Sequence, residues 1–305
     1  MKRWVLFFLF GGLFAHAQDY IYVSNPAAGT ITQIDSSSGN SSIFASGLNS
    51  PEGLTFDGAG NLYAADSGDG TISQINSAGT VSTFASGLNG PKALAFDSNG
   101  NLCVAMPGSQ TIWKINSSGN ASAFASGIAF DHDGAYLAAD NAGNIYANTT
   151  RTVESFDSSG HESQVYGAVE YVEGMALNGA GNLYIAFQNS GFISGNGGLL
   201  TGVASYPAPY NNDVHIAAFE DTPCALAFDA NGNLYATFSN MVYDGSGGTV
   251  VDVNDVLVEF GVNGDNNVVA TDIGGTYIAV QSVPEPGIWT FAGGLVGVLC
   301  LRRRL

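Results

Sequence analysis

The 305-residue chain is 45% apolar but only 11% charged, against about 25% charged in an average soluble domain. Eight Lys and Arg face 26 Asp and Glu, and Lys2, Arg3, Arg302, Arg303 and Arg304 lie at the extreme ends, so residues 18–282 are strongly acidic. That balance argues against a nucleic-acid partner, which needs clustered Lys and Arg. With 41 glycines and little Lys, Arg or Glu, helix-forming material is scarce, and an all-β chain rich in tight turns is expected.

Lys2 and Arg3 precede an apolar run over residues 4–14 and then Ala15-His16-Ala17. A positive start, a short apolar stretch and a small-x-small site predict a signal peptide over 1–17, with Ala15 and Ala17 at the cleavage site. The run is too short to span a bilayer.

The body repeats. FASGL at Phe44 returns at Phe84 and, as FASGI, at Phe124. LTFDGAGNLYAAD from Leu54 has counterparts starting at Leu94, Leu137, Met175 and Leu226. A period near 40 residues with strand-type composition belongs to propellers. Within one unit, Leu54, Phe56, Leu62 and Ala64 alternate with small or polar neighbours, as strands do. Asp57 and Gly60 mark a hairpin turn between them. Residues 71–75 and 81–85 supply two further strands. Residues 20–24 match a second strand and lack a first, which the apolar run at 276–280 can supply. Five repeats plus this shared blade predict a six-bladed propeller whose first and last strands close one blade and leave no open sheet edge.

The repeats resemble NHL-type units and the wider TolB-like, six-bladed superfamily that includes the gluconolactonase and virginiamycin B lyase families; the family pattern is matched almost completely at residues 51–66. The fold implication is strong, whereas propellers host enzymes, receptors and scaffolds alike. A gluconolactonase-like enzyme uses a Glu at the start of an inner strand with Asn and Asp from other blades, oxygen ligands that suit calcium. Glu52 fits that position and Glu173 repeats it, so both are metal candidates, and calcium is the ion the resemblance would bring. No partner Asn and Asp can be assigned from the repeat.

Residues at matched positions before the first strands are Glu52, Lys92, Ala135, Glu173 and Cys224, and loops after second strands add Asp66, Asp69, Asn148, Arg151 and Asn189. Glu52, Asp66, Asp69, Lys92 and Glu173 are therefore binding candidates at one channel mouth. Asp57, Asp97 and Asp229, and Asp131-His132-Asp133, look like fragments of calcium loops; none supplies an EF-hand ligand series, and a turn-forming role is expected. His132, His161 and His215 fall at unrelated points of their repeats and do not form a proton-transfer set, and no Gly-x-Ser-x-Gly elbow is present. Cys103 and Cys224 stand in distant blades and Cys300 in the tail, so no bridge is expected. The fifth interval carries an insertion with Tyr206 and Tyr210, a candidate binding patch because long loops on rigid frames carry function.

The chain ends with Pro284-Glu285-Pro286, an apolar stretch over 287–301, and Arg302, Arg303 and Arg304. About 15 residues of helix rise about 22 Å, short of a bilayer core, and a terminal Arg cluster can snorkel to make up the difference. This tail resembles the PEP-CTERM sorting signal of Gram-negative bacteria, also labelled "ice-binding protein C-terminal domain", a label for a tail and not an activity. The resemblance implies an exosortase-type sorting enzyme as partner, a transmembrane helix over 287–301, and a body that is anchored outside the cytoplasm or released to the cell surface or matrix. Taken together, the sequence predicts a non-catalytic binding or scaffold module over 18–282, facing a surface polysaccharide or another surface protein; the alternative is a calcium-dependent lactonase or lyase.

Overall fold

The computed structural model describes residues 19–36, 38–130, 134–150, 152–167 and 172–187, and beyond these the strands named below. The chain opens with β1 (Asp19–Asn25), β2 (Thr30–Asp35) and β3 (Ser41–Ser46). Complete sheets follow as β4 (Pro51–Phe56), β5 (Leu62–Asp66), β6 (Thr71–Ile75) and β7 (Val81–Ala85), then β8 (Ala93–Phe96), β9 (Leu102–Met106), β10 (Thr111–Ile115) and β11 (Ala121–Ser126). Next come β12 (Leu137–Ala139), β13 (Ile145–Asn148), β14 (Thr152–Phe156) and β15 (Glu162–Gly167), followed by β16 (Val172–Leu177), β17 (Leu183–Phe187), β18 (Thr201–Tyr206) and β19 (Val214–Phe219). The last stretch holds β20 (Pro223–Phe228), β21 (Leu234–Phe238), β22 (Val242–Tyr243), β23 (Val250–Val251), β24 (Val256–Phe260), β25 (Asn266–Ala270) and β26 (Tyr277–Ser282).

Among the described residues these strands make six four-stranded antiparallel sheets and one two-stranded ribbon. The innermost strands touch in a circuit, β26 to β4, β8, β12, β16, β20 and back to β26, so the architecture is an all-β propeller around a central channel. In the first sheet the order is β26-β1-β2-β3, with Asp19 opposite Ser282 and Ser24 opposite Tyr277. Among the described residues no helix is long and apolar enough to cross a membrane; the signal peptide expected at 1–17 and the membrane helix expected at 287–301 lie outside them.

The second strands β5 and β9 are buried at every position, because a second strand has neighbouring sheets on both sides. The last repeat does not run straight from β21 to its third strand. The ribbon β22–β23 intervenes, and β21 pairs with β24.

The core lies between sheets. One apolar cluster joins Tyr22, Ile31 and Leu48 to Leu54, Leu62 and Ile75 across the first seam, and a second joins Tyr63, Ile72 and Ala85 to Leu94, Leu102 and Ile115 across the next. Tyr22 is clamped edge-to-face between Phe44 and Phe56, at 4.8 and 5.2 Å between ring centroids, and Tyr63 between Phe84 and Phe96 at 5.0 and 5.1 Å. Such pairs contribute about 0.5–1.5 kcal/mol each beyond the area they bury.

The outermost strand of every sheet is bulged at the same level. Ile31 faces Ala45 but Thr32 faces Ile43, Ile72 faces Ala85 but Ser73 faces Thr83, and the shift recurs in the other four sheets. Phe44 and Phe84 are the extra residues, and the bulge turns each onto the Tyr of its own sheet. The FASGL repeat is thus the sequence of a bulged rim strand and its exit.

Candidate functional site at the channel mouth

Each first strand runs from one face of the disc, the mouth, to the other, where a tight turn leads into the second strand. Packing inner strands side by side around a channel demands small residues. Gly53 donates its N–H to the Lys92 carbonyl at 2.7 Å, and a Cβ there would collide with that same carbonyl oxygen. Gly174 has the matching role against Ala225. Glu-Gly at 52–53 and 173–174 therefore reflects backbone approach, with the acid placed beside it at the rim. Inside the mouth, a narrow space of about 80 Å³ is ringed at one level by Leu54, Leu94, Leu137, Met175, Leu226 and Ile278, and the opposite end widens to about 330 Å³ beside Phe56, Phe96 and Leu177.

The structure brings Glu52 and Lys92 together, with Nζ 3.4 Å from Oε2. Ser24, fully buried, donates its hydroxyl to the Glu52 carbonyl at 2.8 Å. The first, second and third sheets are thereby stitched at the rim. Glu173 is half-buried on β16, and Ala135 is buried. Cys224 lies on β20, with its side chain outside the described set.

Asp66 is not a mouth surface residue. Only 2% exposed, it accepts the Ser73 hydroxyl through Oδ2 at 2.6 Å, and its Oδ1 has no hydrogen-bond partner. Burial, with the nearby Asp69 carboxylate adding to it, pushes the Asp66 carboxyl up to about 6. Asp69 itself is exposed and accepts the Thr71 hydroxyl at 2.8 Å. Asn148 is also turned inward: its Oδ1 accepts the Tyr136 N–H at 2.8 Å and its Nδ2 donates to the Gly134 carbonyl at 3.1 Å. Because β12 is only three residues long, the amide completes the bonding that a longer strand would provide.

The turn carboxylates sit on the opposite face. Asp57 Oδ1 accepts the N–H groups of Ala59 and Asn61 at 2.9 and 2.8 Å, and Asp97 and Asp140 do the same in their turns. Burial acts to raise the Asp57 and Asp140 carboxyls, but the hydrogen bonds of Asn61, Ala59 and Tyr63, and of Asn144, Tyr146 and Ala142, outweigh it and hold both below the ordinary range. These are turn builders. Gly60 takes φ +84° to close the first of them, a backbone state that glycine adopts freely. Asp229, and the stretch 131–133 with His132, lie outside the described residues.

Tyr side chains of the second strands are tied to this face. Tyr63 donates to Asp57 at 3.3 Å and receives Gln74 at 2.6 Å, and Tyr146 donates to Asp140 at 3.0 Å. In the first sheet no turn joins β26 to β1, and Gln281 takes the place of the missing Asp: Tyr22 donates to its Oε1 at 3.2 Å and receives Gln33 at 2.7 Å. The third sheet has Cys103 in the Tyr place, fully buried and free. Lys114, opposite it on β10, replaces the Gln, reaching Asp97 at 3.0 Å and lying 4.0 Å over the Phe124 ring. Burial pushes the Cys103 thiol up to about 12, far from a reactive thiolate. The repeat alignment alone shows Cys103 in the place of the usual Tyr; its pairing with Lys114 does not show there, although Lys114 stands out as one of three basic residues in an acidic body.

Tyr206 ends strand β18; Tyr210, the other residue of the expected patch, lies outside the described residues, as do Asn189 and Arg151. His161 is in the outer β14–β15 turn, bonded to Ser159 at 2.8 Å, and His215 is on the rim strand β19. Both are on the rim side of their sheets, away from the channel. Among the described residues no three His, Cys, Asp or Glu side chains converge as metal ligands.

Comparison with known proteins supports the architecture. Staphylococcus aureus virginiamycin B lyase is similar at a TM-score of 0.56 and 12% identity, covering 83% of this chain and 81% of its own. A streptogramin B lyase gives 0.52 at 12% identity, covering 71% and 72%. A chain of a nidogen–laminin complex gives 0.63 at 13% identity, covering 86% and 98%. The chain has a β-propeller fold. Scans of protein-family models and of curated proteins return no match.

Proposed function

We propose that the protein is an exported six-bladed propeller acting as a non-catalytic binding or scaffold module at the cell surface or in the extracellular matrix, delivered by its C-terminal sorting tail and an exosortase-type enzyme. Six four-stranded sheets with inner strands in a closed circuit support the blade number. The observation that carries the reading is how the mouth spends its polar groups. Glu52 faces Lys92, Ser24 holds the Glu52 carbonyl, and Asn148 holds Tyr136 and Gly134. Polar side chains committed to bracing inner strands make a stiff rim suited to recognition, with Lys92 as its cation. A surface polysaccharide or another surface protein is the partner proposed for this rim. The test is titration calorimetry of the propeller with purified neutral surface polysaccharide. Lys92→Ala is expected to weaken binding about tenfold, roughly 1.4 kcal/mol. Equal binding by the variant overturns the role of the mouth.

The likeness to virginiamycin B lyase favours the calcium-dependent lyase or lactonase as the second reading, with Glu52 and Glu173 as ligands. Its difficulty is the Lys92 ammonium 3.4 Å from the Glu52 carboxylate, a positive charge that would repel a cation bound there. Turnover of a streptogramin or lactone that EDTA abolishes would establish this reading over the first.

A further inference from the structure

The course of one strand determines which face of the disc can meet a membrane. β4 starts at the mouth with Glu52 and ends at the turn that begins with Asp57. β26 runs the same way, since Ile278 lies level with Leu54 around the channel and Gln281 stands where Asp57 stands in the next sheet, bonded to Tyr22 as Asp57 is to Tyr63. The strand therefore ends at Ser282 on the turn face, beside Asp19. It does so on the innermost strand of its sheet, next to the channel axis.

We propose that the tail holds the propeller with its turn face toward the lipid and its mouth, with Glu52, Lys92 and Glu173, facing away; this rests on reading 283–305 as a membrane-sorting tail. Between Ser282 and the apolar run at 287 only four residues intervene, two of them prolines, and they span at most about 14 Å fully extended. Turning the mouth to the membrane would lead that linker around the rim. Three strand spacings of about 4.8 Å plus a strand length of about 20 Å make that path about 34 Å, more than twice the reach. The ionised, partly exposed turn carboxylates Asp57 and Asp140 keep the turn face from entering the lipid, so the disc stands off on its linker. The mature N-terminus, at β1, leaves from the same face, so both processing points lie on the membrane side.

The experiment uses the full chain with Cys224→Ser and Cys300→Ser, leaving the buried Cys103 unlabelled, and one added cysteine carrying a fluorophore. Ala59→Cys marks the turn face and Asn89→Cys the loop before β8 at the mouth; both positions are exposed. The variants are bound to phosphatidylcholine vesicles containing a headgroup-nitroxide lipid. The Ala59→Cys label is expected to lose most of its fluorescence and the Asn89→Cys label to keep nearly all of it. Equal or reversed quenching on chains that float with the vesicles overturns the orientation alone. Failure of the full chain to float with vesicles overturns the tail reading, and the orientation with it.

Discussion

Replacing Asp66 by Asn removes a buried charge that the Ser73 hydroxyl and the Asn49 backbone offset only in part. The folded protein holds this carboxyl up at about 6, while in the unfolded chain it titrates near 3.9. The protonated form is thus preferred on folding. The native state keeps a proton that the unfolded chain releases between about pH 4 and 6, so stability falls as pH rises through that window and stays lower above it. Two units correspond to about 2–3 kcal/mol, a substantial share of a marginal total. Asp66→Asn retains the acceptor for Ser73 and cannot ionise. Urea denaturation at pH 7.5 is expected to show the variant more stable by about 2 kcal/mol, with the gap narrowing toward pH 4.5. Asp57, Asp97 and Asp140, held low, lose their contribution only at more acidic pH and do so equally in both proteins. A variant no more stable at pH 7.5, or a gap that is constant with pH, would refute the assignment of a buried charge disfavoured by folding.

Gln281→Leu removes the bond by which the last strand substitutes for a turn; a loss of about 1 kcal/mol is expected in urea denaturation, matched by Tyr63→Phe in an ordinary sheet. Gly53→Ala places a methyl against the Lys92 carbonyl, and a drop in stability of about 1–3 kcal/mol is expected, whereas Gly58→Ala, with open space around its Cβ position, leaves the melting temperature nearly unchanged. Cys103→Tyr alone overfills the seam beside Lys114 and Phe124 and destabilises by about 1–3 kcal/mol. Adding Lys114→Gln, as in the neighbouring sheet, restores part of that loss, and a double-mutant cycle measures the coupling; strict additivity would show the two sites to be independent.

Much of the fold can be read from spacing, because one 40-residue unit recurs and the unmatched strands at the two ends complete each other. The turn aspartates are equally legible, since Asp-x-x-Gly-Asn is itself the local bonding pattern that forms. What escapes is whatever depends on neighbouring sheets. Asp66 reads as a loop acid at the mouth, but it ends β5 opposite Pro51 and is buried there. Asn148 looks like another rim amide, yet it repairs a short strand. Cys103 and Lys114 are odd residues in their own repeats and make sense only as a pair across β9 and β10. Tyr206 lies in an irregular interval whose length hides a regular strand, and the β22–β23 ribbon breaks the period in the last repeat.

The bulged rim governs how copies of this molecule meet one another. β3, β7 and β11 carry no charged side chain, so they lack the lysines that commonly discourage sheets from adding to one another. A kink at one fixed height in all six perimeter strands serves that end by shape. Two discs touching side by side cannot align a long run of amides with carbonyls, and neither can seed a growing fibre. Backbone contour thus stands in for charge as a guard against edge pairing, even where the perimeter exposes an apolar side chain such as Ile43.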